Sequence, residues 1–146
     1  MKLEENLNYF FFDKAILRRS LTRPAYAMEQ PEPCEDQAAY SLLGAAVLDT
    51  VLTELLIRQG HTTQAAIVSQ KLPLKQVENL ARLSEAVGVG FVVKWGEAEK
   101  TARAYDNPDC LAECLEAVLG GIYFDGGFGA ARRAVNYLFR EVFPPE

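Results

Sequence analysis

Glu113 and Glu116 stand three residues apart, and at 3.6 residues per helical turn that spacing puts both carboxylates on one face. Asp109 falls one turn before them. Two acids so placed either share a divalent cation or stand in water on a solvated face. A second stripe at positions 38, 41, 45 and 49 has the same helical spacing, with the occupants Ala38, Ser41, Ala45 and Asp49. Asp49, the one acid of this stripe, lies about 6 Å along the axis from Ala45, four residues at ~1.5 Å rise. Cys110 and Cys114 are four apart on the same segment as the glutamates. His61 is the only histidine, so a zinc site would lack two ligands, and buried free thiols are the expectation.

Helices must position these groups. Phe10–Arg19 has apolar residues at Phe11, Phe12, Ala15, Ile16 and Leu17, with Asp13 as its cap. Thr22-Arg23-Pro24 interrupts it, Ala25–Glu29 makes a short turn, and Glu29–Asp36, with two prolines and four acids, reads as a solvated loop. Gln37–Gln59 is the longest helical pattern, ended by Gly60. Thr62 or Thr63 caps a helix over Gln64–Lys71; Pro73 opens another that runs to Val87, where Gly88 ends it. Phe91–Trp95 is a short apolar run that fits a strand, a helical extension or a loop. Asp109 caps a helix over Cys110–Tyr123, Asp125-Gly126-Gly127 signals a turn, and a last helix covers Phe128–Val142. Six or seven helices without a pair of strands predict one all-α domain over residues 1–146.

Composition bounds the function classes. Hydrophobic residues are 49% and charged residues 24%, the profile of an ordinary soluble globule. A net charge of −5 argues against a free-standing, high-affinity nucleic-acid binder, although a local basic face is compatible with it. Three cysteines without paired spacing suit a reduced, cytoplasmic setting. The N-terminus MKLEENLNYF has acids where a secretory leader has bases, so export is not expected. Ala38–Ile57 is apolar, but Ser41, Asp49, Thr50, Thr53 and Glu54 interrupt it, which predicts a core helix and no membrane association. There is no Gly-rich phosphate loop and no G-x-S-x-G nucleophile motif.

The two stripes sit in longer patterns. Ala38-Ala39-Tyr40-Ser41-Leu42-Leu43-Gly44-Ala45-Ala46-Val47-Leu48 resembles the first signature of the ribonuclease III family, E-R-L-E-F-L-G-D-A-V-L, in its Leu-Gly and Ala-Val-Leu framework. The pattern's three acids fall on Ala38, Ser41 and Ala45. Leu111 through Gly127 resembles the second signature, L-A-D-A-F-E-A-L-I-G-A-I-Y-L-D-G-G, closely; Glu116 keeps the glutamate and Glu113 replaces the aspartate. Tyr9–Asp13 and Leu21–Tyr26 resemble the family's opening helix and L-T-H-x-S-Y turn, with Arg23 where the histidine would be. Leu80–Gly90 and Val93–Lys100 resemble its L-A-x-x-A-x-x-L-G-L-G and G-K-G-E-E-K segments. Residues 1–146 hold no segment that resembles a double-stranded-RNA-binding domain, so the architecture of the family's minimal members is expected.

The resemblance implies a helical endonuclease fold that uses Mg²⁺ or Mn²⁺ to hydrolyse double-stranded RNA. Glu116 and Glu113 are the remnant of that catalytic and metal site. Losing a charged metal ligand can cost several kcal/mol in the transition state, at ~1.4 kcal/mol per tenfold in rate, so a pseudoenzyme is expected. The alternatives are a weak or partner-complemented endoribonuclease and a structural or regulatory subunit of an RNA-containing assembly. The resemblance also implies a homodimer, or a heterodimer with an active ribonuclease III, with Leu42 where the family has an interface aromatic. The plain alternative for Leu42 is a core residue. Arg18, Arg19, Arg23, Lys94 and Lys100 are the candidate RNA contacts, and Arg132, Arg133 and Arg140 form a second basic cluster on the last helix.

Overall fold

The computed structural model describes residues 1–145, and among them the regular structure is helical. In chain order the helices are α1 (Lys2–Leu7), α2 (Lys14–Ser20), α3 (Pro24–Met28), α4 (Ala38–Arg58), α5 (Gln64–Lys75), α6 (Val77–Val87), α7 (Val89–Val92), α8 (Glu97–Thr101) and α9 (Pro108–Leu138), with a 3₁₀ turn at Ala104–Asp106. A single parallel bridge pairs Thr22 with Lys94. The all-α expectation holds.

α4 and α9 form the central pair. The α4 stripe Tyr40, Gly44, Val47, Leu48, Val51, Leu52 and Leu56 is buried, as four-residue spacing on a helix predicts. Leu115, Val118, Leu119 and Ile122 of α9 are fully buried in the same core. The two helices cross with almost no side-chain layer between them. A Cβ on Gly44 would sit 1.7 Å from the Glu116 carbonyl oxygen, and one on Gly120 would sit 2.1 Å from the Tyr40 carbonyl oxygen. The two glycines are thus what lets backbone touch backbone here. α4 is long and apolar enough to cross a membrane, but here it is the core helix of the bundle.

Several boundaries differ from the sequence expectation. α1 was not anticipated; its six residues lie in a segment with two adjacent acids, and its buried face, Leu3 and Leu7, shows only two apolar positions. The Phe10–Arg19 helix begins later, at Lys14, capped as expected by Asp13, whose side chain accepts from the Ala15 N–H at 2.9 Å. Pro73 does not open a helix. It lies inside α5, which continues to Lys75 before extended Gln76 separates it from α6. The bond from position 73 to the Ser69 carbonyl is forfeited, and Ser69 is exposed, so water can serve that oxygen. The cap of α9 is Asn107, which accepts from the Cys110 N–H at 3.3 Å, rather than Asp109. Pro108 at the first helical position fixes that start.

Asp125-Gly126-Gly127 is a kink within α9 rather than a loop. Only Gly127, at φ 85° and ψ 177°, leaves helical geometry, and the helix resumes at Phe128 to end at Leu138, short of Val142. Phe91 lies in the short helix α7, so the run Phe91–Trp95 is not a strand.

Candidate functional site

Arg23 is the hub of the region where the two signature stripes meet. It precedes α3, with Pro24 forcing an extended backbone at position 23. That conformation turns its side chain inward, where only 11% of it is exposed. The guanidinium is 2.9 Å from a Glu99 oxygen and 2.9 Å from a Glu113 oxygen. Nη1 also donates to the Gln37 side-chain carbonyl at 3.2 Å. The planar fork satisfies several acceptors at once, which an ammonium could not do in this geometry. Burial opposes the charge, but the bonds to Glu99 and Glu113 outweigh it and hold the guanidinium more firmly protonated than usual. The Trp95 ring lies 5.4 Å from the guanidinium carbon, adding a cation–π contact.

Gln37 locks this hub to the start of α4. It is 1% exposed, its side-chain amide donates to the Ser20 carbonyl at 2.7 Å, and its backbone N–H donates to the Thr22 carbonyl at 2.9 Å. Glu99 also accepts from the Gly96 N–H at 3.1 Å, which anchors the start of α8. Neither Gln37 nor Glu99 is a site candidate from the sequence alone. The available signal was Arg23 itself, since an arginine in place of the resemblance's histidine needs acids around it if it is buried.

The first stripe has become structural. The Ser41 hydroxyl donates to the Glu113 carbonyl at 2.9 Å, tying α4 to α9, while Ala38 and Ala45 offer no oxygen ligand. Asp49 is held by Lys71 at 2.9 Å and Lys75 at 2.8 Å, both from α5. The Lys75 and Lys71 bonds outweigh partial burial and pull its carboxyl below the usual range. Glu113 is 58% exposed and faces Arg23. Glu116 is half-buried and makes no ion pair among the described residues; burial pushes its carboxyl up, with Lys75 pulling the other way and Glu113 adding to the rise.

A divalent ion wants several oxygen ligands in near-octahedral array. Here Glu113 is engaged by a fixed cation, and Glu116 is the one family carboxylate left without one. Among the described residues no group of three or more His, Cys, Asp or Glu is placed to hold a metal ion. The residues present do not fit the Mg²⁺ or Mn²⁺ that the resemblance implied.

The thiols divide. Cys114 is buried and Cys110 partly so, and both sulfurs lie near Arg23, at 4.0 and 3.8 Å. Burial pushes the Cys114 thiol up to about 12, against the pull of Arg23, so it stays a neutral thiol. Cys34 departs from the expectation of buried thiols and is exposed on the acidic loop.

The structure describes a protein that matches known ones. A family model described as ribonuclease-III-like matches residues 13–142. The chain belongs to the ribonuclease-III-like family. This ribonuclease-III-like chain is 30% identical over 141 residues to Ribonuclease 3 of Caldanaerobacter subterraneus subsp. tengcongensis, covering 96% of this chain and 62% of that protein. It is 34% identical over 129 residues to Ribonuclease 3 of Heliobacterium modesticaldum, covering 87% and 55%. The chain therefore spans about three fifths of the length of the relatives it matches. Among solved structures it is similar to the nuclease domain of ribonuclease III from Campylobacter jejuni, with 26% identity, a TM-score of 0.87, and 99% of this chain and 98% of that one covered. That structure is described as flexible in a region involved in dimer formation.

The five candidate RNA contacts of this ribonuclease-III-like chain do not share one environment. Arg18, Arg19 and Lys94 line a common cleft of about 470 Å³ with Tyr26 and Tyr40. Arg18 and Lys94 are exposed there and make no ion pair among the described residues. Arg19 is committed to Glu35 and to the Asp36 carbonyl, and it lies 4.5 Å over the Tyr40 ring. Lys100 pairs with Glu97 at 3.2 Å on α8. Arg23 leaves the set, because its donors are spent inside on Glu99, Glu113 and Gln37. Leu42 is 78% exposed on α4, so it is not a core residue of this chain.

Proposed function

We propose that this chain is an RNA-associated ribonuclease III-like domain that has lost metal-dependent cleavage. The observation that carries the reading is the Arg23 guanidinium 2.9 Å from Glu113, a covalently attached cation on a carboxylate that would otherwise bind an ion. Ala38, Ser41 and Ala45 supply no carboxylate to replace it. Two-metal hydrolysis needs ions to activate water and to stabilise the leaving oxygen, and arginine can do neither as a Lewis acid. Fold and chemistry separate readily, since packing depends on the α4–α9 crossing and not on the acids.

The test is incubation of the purified chain with duplex RNA and Mg²⁺ or Mn²⁺. No cleavage is expected. Cleavage that Glu116→Gln abolishes would overturn the reading.

The working form of this reading is a two-fold dimer in a reducing, cytoplasmic setting. Leu42 at 78% exposure, and Phe124 at 61% beside buried Tyr40, support an apolar face on the signature helices. A heterodimer with an active ribonuclease III is the second reading, and it would supply the missing acids in the partner's own site. Cleavage by a co-purified mixed dimer, absent from this chain alone, favours it.

A further inference from the structure

Where the C-terminal end of α4 meets the last part of α9, a cleft of about 810 Å³ opens. It is lined by four arginines, Arg58, Arg132, Arg133 and Arg140, and by no lysine, aspartate or glutamate. It shares no lining residue with the Arg23 cluster. One carboxylate serves the group: Glu54 lies 2.6 Å from Arg132 and 3.3 Å from Arg58. Arg133 and Arg140 have no acid within ion-pair distance among the described residues. In a chain of net charge −5, this is a concentrated positive spot.

Two features make it more than a solvated fringe. Arg140 is pre-set: its Nη1 donates to the Tyr137 carbonyl at 2.7 Å, and its guanidinium lies 4.1 Å over the Tyr137 ring. A stacked guanidinium has less rotamer freedom to lose on binding. All four cations are also arginines, whose rigid forks match phosphate oxygens two at a time. Arg133 lies on α9 and Arg140 two residues beyond its end at Leu138.

We propose that this arginine cleft is a seat for the phosphodiester backbone of RNA, separate from the Glu113–Glu116 region. The proposal rests on the RNA-associated reading above. It assigns the grip to the far ends of α4 and α9, away from the signature stripes.

The test is anisotropy titration of a labelled RNA duplex with the full chain, in a chelator, over ~50 to ~300 mM KCl. Arg133→Ala with Arg140→Ala is expected to weaken binding at least about tenfold and to lower the slope of log affinity against log salt by about 2. Arg133→Lys with Arg140→Lys should retain most of that slope, because the charge remains. Melting curves check that each variant folds. If the chain binds RNA and the alanine pair changes neither affinity nor slope, the cleft is not the seat, while the RNA-associated reading stands. No binding by the unaltered chain at the lowest salt overturns both. A labelled poly-glutamate peptide that binds more tightly than RNA, and is lost in the alanine pair, overturns RNA in favour of protein carboxylates.

Discussion

Nη1 of Arg23 lies 2.9 Å from Oε2 of Glu113, across 90 residues of sequence. The same side chain holds Glu99, and only 11% of it reaches solvent, against 58% of Glu113. The two ends of the pair therefore differ in what their removal should do. Arg23→Gln strands a mostly buried Glu99 carboxylate and is expected to cost about 3 kcal/mol in urea unfolding. Glu113→Gln removes an exposed partner and should cost less than about 1 kcal/mol. Equal costs would show that Arg23 is not the hub.

The α4–α9 crossing gives a sharper steric expectation. Gly44→Ala places a methyl 1.7 Å from a carbonyl oxygen, and backbone cannot move aside as a side-chain tip can. The loss should be at least about 3 kcal/mol, more than ordinary overpacking. Circular dichroism melts check it. A variant that melts with the parent would mean the helices can slide apart without penalty.

Asp125 carries a pH prediction. Its carboxylate accepts from the Phe12 N–H at 2.7 Å, the Asp13 N–H at 2.9 Å and the Tyr9 hydroxyl at 2.6 Å. Burial raises its pKa, but the Tyr9 hydroxyl and the two backbone bonds prevail and hold it below the ordinary aspartate value. A depressed carboxyl stabilises the fold fully above the unfolded pKa, near ~3.9, and the contribution fades as pH falls through that value and below. Asp125→Ala should cost about 2 to 3 kcal/mol at pH 7. The difference from the parent should shrink progressively below about pH 4 in acid titration. A constant difference across that range would exclude the charge as its source.

Leu42 tests the dimer. Leu42→Glu adds a charge to a residue already 78% exposed, so the single chain should keep its helical fold in circular dichroism. Light scattering should report half the mass of the parent. An unchanged mass would remove Leu42 from the interface.

Much of this architecture was legible in the residues because it rests on local rules. Asp13 as a cap, Thr63 as one of the two threonines offered as a cap, and Gly60 and Gly88 as helix ends all follow from capping chemistry. The differences came where a helix accommodated a local break instead of ending at it. Pro73 sits in α5 because that helix buries no residue and its freed carbonyl faces water. Gly126-Gly127 bends α9 without ending it, because one residue of positive φ is enough to redirect the chain. At the site, spacing located Glu113 and Glu116, and the resemblance located the missing acids. Neither reveals Gln37 and Glu99 around Arg23, since that cluster joins parts of the chain 14 and 76 residues from it.

The Asp125 carboxylate has a further consequence for how the chain is assembled. It fastens residues 9, 12 and 13 to a point more than a hundred positions away, so the segment before α2 is stitched onto α9. Contacts that distant close a long loop, whose entropic cost grows slowly with its length. A ribosome must therefore release residues through Asp125 before this stitch can be made.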